Sequence, residues 1–109
     1  MEYKATIELN NEGTLFLNSD VLKLIRLIDE YKSVKEAARI MNITPSKAWK
    51  MIRTVEEAIG ETAVFKARNA GADKYLVHIS PACRGLVEKF AGFEAESQEA
   101  VRKIYTKYF

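Results

Sequence analysis

Three features of this 109-residue sequence predict a mainly α fold carrying small β-hairpins. Residues 33–60 hold two helices, each with its own cap, separated by a joint of only a few residues. Two short alternating runs follow at once, on either side of a polar turn. From Pro81 onward an apolar seam recurs at helical spacing. A short helix, a tight turn, a longer helix and then a hairpin make a winged helix-turn-helix. Here it carries an N-terminal hairpin and ends in a long C-terminal dimerisation helix. The expected division is 1–80 for the winged helix-turn-helix DNA-binding domain and 81–109 for the dimerisation helix, both within one compact unit.

The totals bound the answer. A chain of this length is one domain, large enough to bury a core without disulfides or a metal. With 48% hydrophobic and 29% charged residues it is globular. The net charge of +2 does not announce a nucleic-acid binder, so the placement of the cations matters more than their number. The single cysteine, Cys83, excludes an internal disulfide and suits a reducing compartment. No apolar stretch approaches the roughly 20 residues of a membrane helix, and no N-terminal apolar run follows a basic start. The expected setting is the cytoplasm, with no membrane association.

In chain order, residues 3–9 alternate in period two, with Tyr3, Ala5, Ile7 and Leu9 on one side, which predicts a strand. The residues at 10–13, Asn-Asn-Glu-Gly, are turn chemistry, and 14–17 return as a second strand. Asn18 or Ser19 starts a helix whose apolar positions (Val21, Leu22, Leu24, Ile25, Leu27, Ile28) cover more than one stripe, so it belongs at the centre of the core. Ser33 with Glu36 has the capping-box spacing, and Val34, Ala37, Ala38 and Met41 pack at helical intervals. Thr44 caps the next helix, and Pro45 sits at its first position, where a missing N–H costs nothing.

That helix separates two faces. At 100° per residue, Ala48, Met51, Ile52, Val55 and Ile59 share one arc, and Ser46, Lys47, Lys50, Arg53 and Thr54 lie opposite. A charged face on a surface helix is ordinarily only solvated. Here three cations without an acid sit beside the helix N-terminus, whose N–H groups favour phosphate. Glu56 and Glu57 come a turn later and read as solvated. Trp49 falls on the border between the faces, as a core-edge residue. Gly60 stops the helix. Strands at 63–68 and 74–79 flank a turn at 69–73 and form the wing, with Lys66, Arg68 and Lys74 placed to reach phosphates.

Ser80 and Pro81 open the last helix. Leu86, Phe90, Phe93, Ser97, Ala100, Ile104 and Tyr108 recur at spacings of three and four, a seam of the coiled-coil type. A helix approaching 30 residues outruns a domain this small, so its seam calls for a second copy. Glu94 and Glu96 read as solvated. His78 has no second ligand at metal spacing and reads as structural, and Cys83 as a small packing residue more than a redox sensor. No nucleophile–base pair, nucleotide loop or catalytic carboxylate pair stands out, so neither an enzyme nor a cofactor or metal is expected.

The order of elements resembles the N-terminal DNA-binding domain of the molybdate-responsive regulator (ModE) family, which shares its winged domain with LysR-type regulators. The matching strings are Leu-Ile-Arg-Leu-Ile-Asp at 24–29, Ser-Val-Lys-Glu-Ala-Ala at 33–38, Ser-Lys-Ala-Trp at 46–49, and Ile-Ser-Pro-Ala-Cys-Arg-Gly-Leu at 79–86. The Ala48-Trp49 pair is a fairly specific point in favour of the ModE side. The chain differs from the family in ending where the molybdate-binding domains would begin, in a wing tip without repeated glycines, and in Cys83 where glycine is common. The resemblance implies DNA contact by the N-terminal half of the second helix: Thr44, Ser46, Lys47, Lys50 and Arg53.

The function expected is a sequence-specific DNA-binding transcriptional regulator without its own molybdate or effector domain. It acts as a homodimer on a palindromic site in double-stranded DNA. Its dimer interface comprises Leu86, Phe90, Phe93, Ala100, Ile104 and Tyr108. The alternative is a winged-helix protein-interaction module that pairs, through its long helix, with a separate effector-sensing protein.

Overall fold

A computed structural model describes residues 1–68 and 75–109; the wing turn expected at 69–73, and Lys74 beside it, lie outside the described residues. In order the elements are β1 (Leu9–Asn11), β2 (Thr14–Leu17), α1 (Ser19–Tyr31), α2 (Val34–Met41), α3 (Pro45–Ile59), β3 (Val64–Arg68), β4 (Tyr75–Ile79) and α4 (Pro81–Tyr108). The architecture is the expected winged helix-turn-helix, with two separate antiparallel hairpins, β1–β2 and β3–β4, and a long last helix.

The helix starts follow from caps legible in the sequence. Asn18, Ser33, Thr44 and Ser80 are extended, and their side chains accept the N–H groups of Val21, Glu36, Lys47 and Cys83. Each contact satisfies a donor that the first turn leaves orphaned. The capping box at Ser33 is only half made, because the Glu36 carboxylate turns to Arg39 instead, at 2.6 and 3.0 Å. The ends of α1, α2 and α3 close on left-handed residues, Lys32, Asn42 and Gly60. Gly60 and Asn42 suit that backbone. Lys32 is held in it from both sides: its N–H donates to Ile28 O at 2.8 Å, and its carbonyl accepts Val77 N–H at 3.0 Å.

The core gathers around α1. Leu24 and Ile28 have no exposed surface, and Val21, Leu22 and Ile25 are nearly as buried. Against them lie Ala37 and Ala38 of α2, whose small side chains let the two helices approach closely. Val34 of α2, Ala48, Ile52 and Val55 of α3, Leu17 of β2, Ala63, Val64 of β3, Val77 and Ile79 of β4, and Cys83 and Phe90 of α4 complete the cluster.

Four sequence expectations change. The strand expected at 3–9 is replaced by β1 at Leu9–Asn11, which pairs Leu9 with Leu17 across a two-residue turn at Glu12 and Gly13, both at positive φ. Residues 1–8 form an extended arm along α4. Gln98 Nε2 donates to Ala5 O at 2.7 Å, Tyr105 Oη donates to Met1 O at 2.8 Å, and the Tyr3 and Tyr105 rings lie 4.4 Å apart. The alternation did report one covered side, since Ala5, Ile7 and Leu9 are half-buried between exposed neighbours. The segment meets α4 at Met1, Tyr3 and Ala5 and the core at Ile7 and Leu9, and period two does not distinguish such cover from a strand partner.

Phe90 is the second correction. It is 1% exposed in the protomer core, so it is not available to a dimer seam, and Leu86 is half-buried against the same core. Third, Glu56 is not simply solvated: its carboxylate accepts Ala63 N–H at 2.8 Å and ties α3 to the start of the wing. Fourth, Glu94 accepts Ser19 Oγ–H at 3.0 Å, linking α4 to the start of α1.

At 1.5 Å per residue α4 is about 42 Å long, which accounts for a molecule 59 × 28 × 24 Å in extent. At its root the Arg84 guanidinium grips Asp29 of α1 through two bonds, at 3.0 and 3.1 Å, and Lys32 adds a third at 3.1 Å. Arg84 is the main reason the Asp29 carboxyl sits below the usual carboxylate range; partial burial opposes the shift, and Lys32 assists it.

The split of the seam is directly testable. Phe90→Ala should cost about 3–5 kcal/mol of stability in denaturant unfolding. Phe93→Ala, 51% exposed, should change it by no more than about 0.5 kcal/mol at concentrations where the chain is monomeric. Equal losses at the two positions would contradict this placement.

Candidate nucleic-acid interface

The site is built on α3. Its buried face, Ala48, Ile52 and Val55, is fixed against the core, and this rotation decides what the opposite face shows. Thr44, Ser46, Lys47, Lys50 and Arg53 are all exposed there. None of Lys47, Lys50 and Arg53 forms an ion pair among the described residues. Elsewhere Lys32 and Arg84 are bound to Asp29, Arg39 to Glu36 and Arg102 to Glu99. The charge of the α3 face is therefore not neutralised by the protein's own carboxylates, the condition for attracting an external polyanion.

The helix N-terminus offers less than its position alone promises. Pro45 has no N–H, Lys47 N–H donates to Thr44 Oγ1 at 3.1 Å, and Ala48 N–H to Thr44 O at 3.0 Å. Ser46 N–H is the remaining first-turn donor. The Thr44 hydroxyl acts as a cap through its oxygen and keeps its hydrogen to donate. Thr54 is half-buried, and its hydroxyl is spent on Lys50 O at 3.0 Å, so it adds nothing to the face. Trp49 is half-buried against the core, as its border position predicts.

The tertiary structure adds a neighbour that no local pattern shows. A cleft of about 520 Å³ runs between α3 and the N-terminal hairpin, lined by the apolar Leu15, Phe16, Val21 and Met51 together with Lys47 and Lys50. The hairpin thus borders the cationic face. Nothing in the hairpin's own residues points to α3 as its neighbour.

On the wing, β3 and β4 pair Val64 with Ile79, Lys66 with Val77 and Arg68 with Tyr75. Opposed residues share a face, so Lys66 and Arg68 stand on the same side as the buried Val77 and Ile79, Lys66 level with Val77 and Arg68 further out, opposite Tyr75. The other side carries Phe65 and His78, whose rings stack at 5.7 Å. Phe65 is 41% and Tyr75 66% exposed. Sequence pattern does not single out these two aromatics, because alternation gives two faces without saying which is outward. Lys66 and Arg68 are exposed.

Cys83 lies at the start of α4 with no exposed surface, and burial pushes its thiol up to about 11. Such a thiol is a packing group, since nucleophilic reactivity needs the thiolate. No group of three metal-ligating side chains occurs among the described residues, and no helix is long and apolar enough to cross a membrane. A thiol-reactive dye at pH 8 should leave Cys83 unmodified in the native protein and label it on unfolding, when the thiol returns to an ordinary pKa near ~8.5. Rapid native labelling would show the site to be open.

Comparison of the sequence with protein-family models and with curated proteins finds no match. The fold is similar to that in a crystal structure of ArgP, a LysR-type regulator, from Mycobacterium tuberculosis. The TM-score is 0.54 at 19% identity, over 81% of this chain and 31% of that one. The likeness is one of fold, and the chain spans less than a third of the length of that regulator.

Proposed function

We propose that this chain is a sequence-specific DNA-binding transcriptional regulator that acts as a homodimer on a palindromic site. The observation that carries the reading is the exposed, unneutralised face of Lys47, Lys50 and Arg53 on the capped second helix of a helix-turn-helix. The N-terminal half of α3 enters the major groove. Lys50 and Arg53 reach base edges or the flanking phosphates, and Thr44, Ser46 and Lys47 position the helix on the backbone. Lys66 and Arg68, with Lys74, contact phosphates beside the groove. The fold shared with ArgP supports a regulator of the LysR type, and the Ala48-Trp49 pair favours a ModE-like branch.

Dimerisation rests on α4. Phe93, Ile104 and Tyr108 are 51–69% exposed and, with Ala100, share one side of the helix. A two-fold partner laid against this side would also cover the free edge of Leu86. The same seam serves a second reading, in which α4 pairs with a separate sensor protein.

Replacing Lys50 and Arg53 together with alanine should weaken binding to the best site from a random-library selection by roughly 1–3 kcal/mol for each base edge no longer read, and should flatten the salt dependence. Unchanged affinity after that double substitution would falsify the assignment of α3. Ile104→Glu should convert a dimer into a monomer by mass measurement at micromolar concentration, and lower affinity for a palindrome far more than for a half-site. A parent chain that is already monomeric, with DNA binding insensitive to salt, would favour the sensor-partner reading.

A further inference from the structure

We propose that two fasteners on α4, the Asp29–Arg84 fork at its root and the N-terminal arm on Gln98 and Tyr105, determine the half-site spacing the dimer accepts. This inference rests on the dimeric DNA-reading function above. The fasteners make Asp29 and Tyr105 positioning residues, neither of which touches DNA.

Core burial alone holds α4 over only a short distance. Cys83 and Phe90 are its two fully buried residues, and the chain continues for several turns past Phe90. A lever of about 42 Å tilted by about 10° moves its far end by about 7 Å, two base-pair steps of about 3.4 Å. A dimer joined through that far end would have no defined distance between its two α3 helices unless the tilt were fixed. Half-site separation is a matter of such geometry.

The arm extends the anchored stripe. Cys83, Phe90, Gln98 and Tyr105 are seven or eight residues apart in succession and so lie on one side of α4. The first two enter the core, and the last two hold Ala5 O and Met1 O at 2.7 and 2.8 Å, with Tyr3 against the Tyr105 ring. Ser19 Oγ donating to Glu94 lies between them along the helix. Phe93, Ala100 and Ile104 fall about a quarter turn away, so the arm supports α4 without covering the seam. At the root, the two-bond fork of Arg84 onto Asp29 restricts rotation as well as distance, which a single-point contact does not. The Asp29–Arg84 pair is partly exposed, and an ion pair so placed contributes little to stability. Their effect is on direction.

The test uses the full chain. Spin labels on Lys23→Cys of α1 and Lys103→Cys of α4, in a Cys83→Ala background and diluted with an excess of unlabelled chain so that only the distance within one protomer is read, report the angle of α4 as a distance distribution in the free protein. A selection over two half-sites separated by variable spacers reports the DNA geometry. The parent chain should give one narrow distance and one preferred spacer. Asp29→Asn with Tyr105→Ala should broaden the distance and spread binding over neighbouring spacers, with at least a tenfold loss of discrimination between them. Affinity for an isolated half-site and the thermal melt should stay close to those of the parent, which separates lost geometry from lost folding. Tyr105→Phe, which keeps the ring contact and removes the bond to Met1 O, should fall between. A distance that stays narrow in the double variant, or a spacer preference that does not change, would overturn the inference while leaving DNA binding intact. Absence of any DNA binding by the parent would overturn the function it rests on and the spacing role with it; the distance measurement would still decide whether the fasteners hold α4.

Discussion

Covering α1 is the constraint from which the rest of the structure follows. Five of its thirteen residues are buried, and they lie on more than one side of the helix. An apolar helix of this kind is stable only when neighbours close around it. Here α2 and α3 take one side, with Ala37, Ala38 and Ala48 letting the backbones approach. Leu17 of the N-terminal hairpin and Ile79 of the wing take others. The hydrogen bond from Val77 N–H to Lys32 O then docks the wing onto the end of the same helix. The wing and α3 therefore hold a fixed relation because both are seated on α1, although they share no sheet.

From that packing follows the orientation of the cations. Ala48, Ile52 and Val55 must face α1, so Lys47, Lys50 and Arg53 must face outward. Several acids are committed elsewhere, Glu36 to Arg39, Asp29 to Arg84 and Lys32, Glu56 to the backbone of Ala63 and Glu94 to Ser19. Lys47, Lys50 and Arg53 pair with none of the described carboxylates, which leaves positive charge separated onto this face. At a net charge of only +2, such separation matters more for a polyanionic partner than the total does.

The long helix obeys the same logic in reverse. Its first turns are secured by Cys83 and Phe90, and its later turns leave the core. Bridging contacts from Ser19, Ala5 and Met1 then replace burial as the means of holding it. Each is a polar contact to a partly exposed partner, which makes direction the quantity they control. The apolar side left over, Phe93, Ile104 and Tyr108, is too large and too aligned to be scattered surface.

The amino-acid order by itself determined the elements that depend on near neighbours. Caps at Asn18, Ser33, Thr44 and Ser80, the left-handed stop at Gly60, and the two faces of α3 are governed by interactions within a few residues, and all are present as the local pattern predicts. The exposure of Thr44, Ser46, Lys47, Lys50 and Arg53 followed from the same helical period. Tertiary structure alone decided what lies opposite each patterned segment. Alternation at 3–9 implied a covered side but could not say that α4 and the central core share the cover. The heptad-like spacing of Phe90 and Phe93 could not say that one enters the core while the other faces solvent, because both lie on a wide apolar arc and the body meets only part of it. Glu56 and Glu94 looked like ordinary surface acids, and their partners are 7 and 75 residues away; the Asp29–Arg84 pair, 55 residues apart, has no local signal at all. A pattern in sequence reports periodicity, and periodicity is set by the residue's own backbone. The partner across a contact is set by the packing of the whole chain around α1.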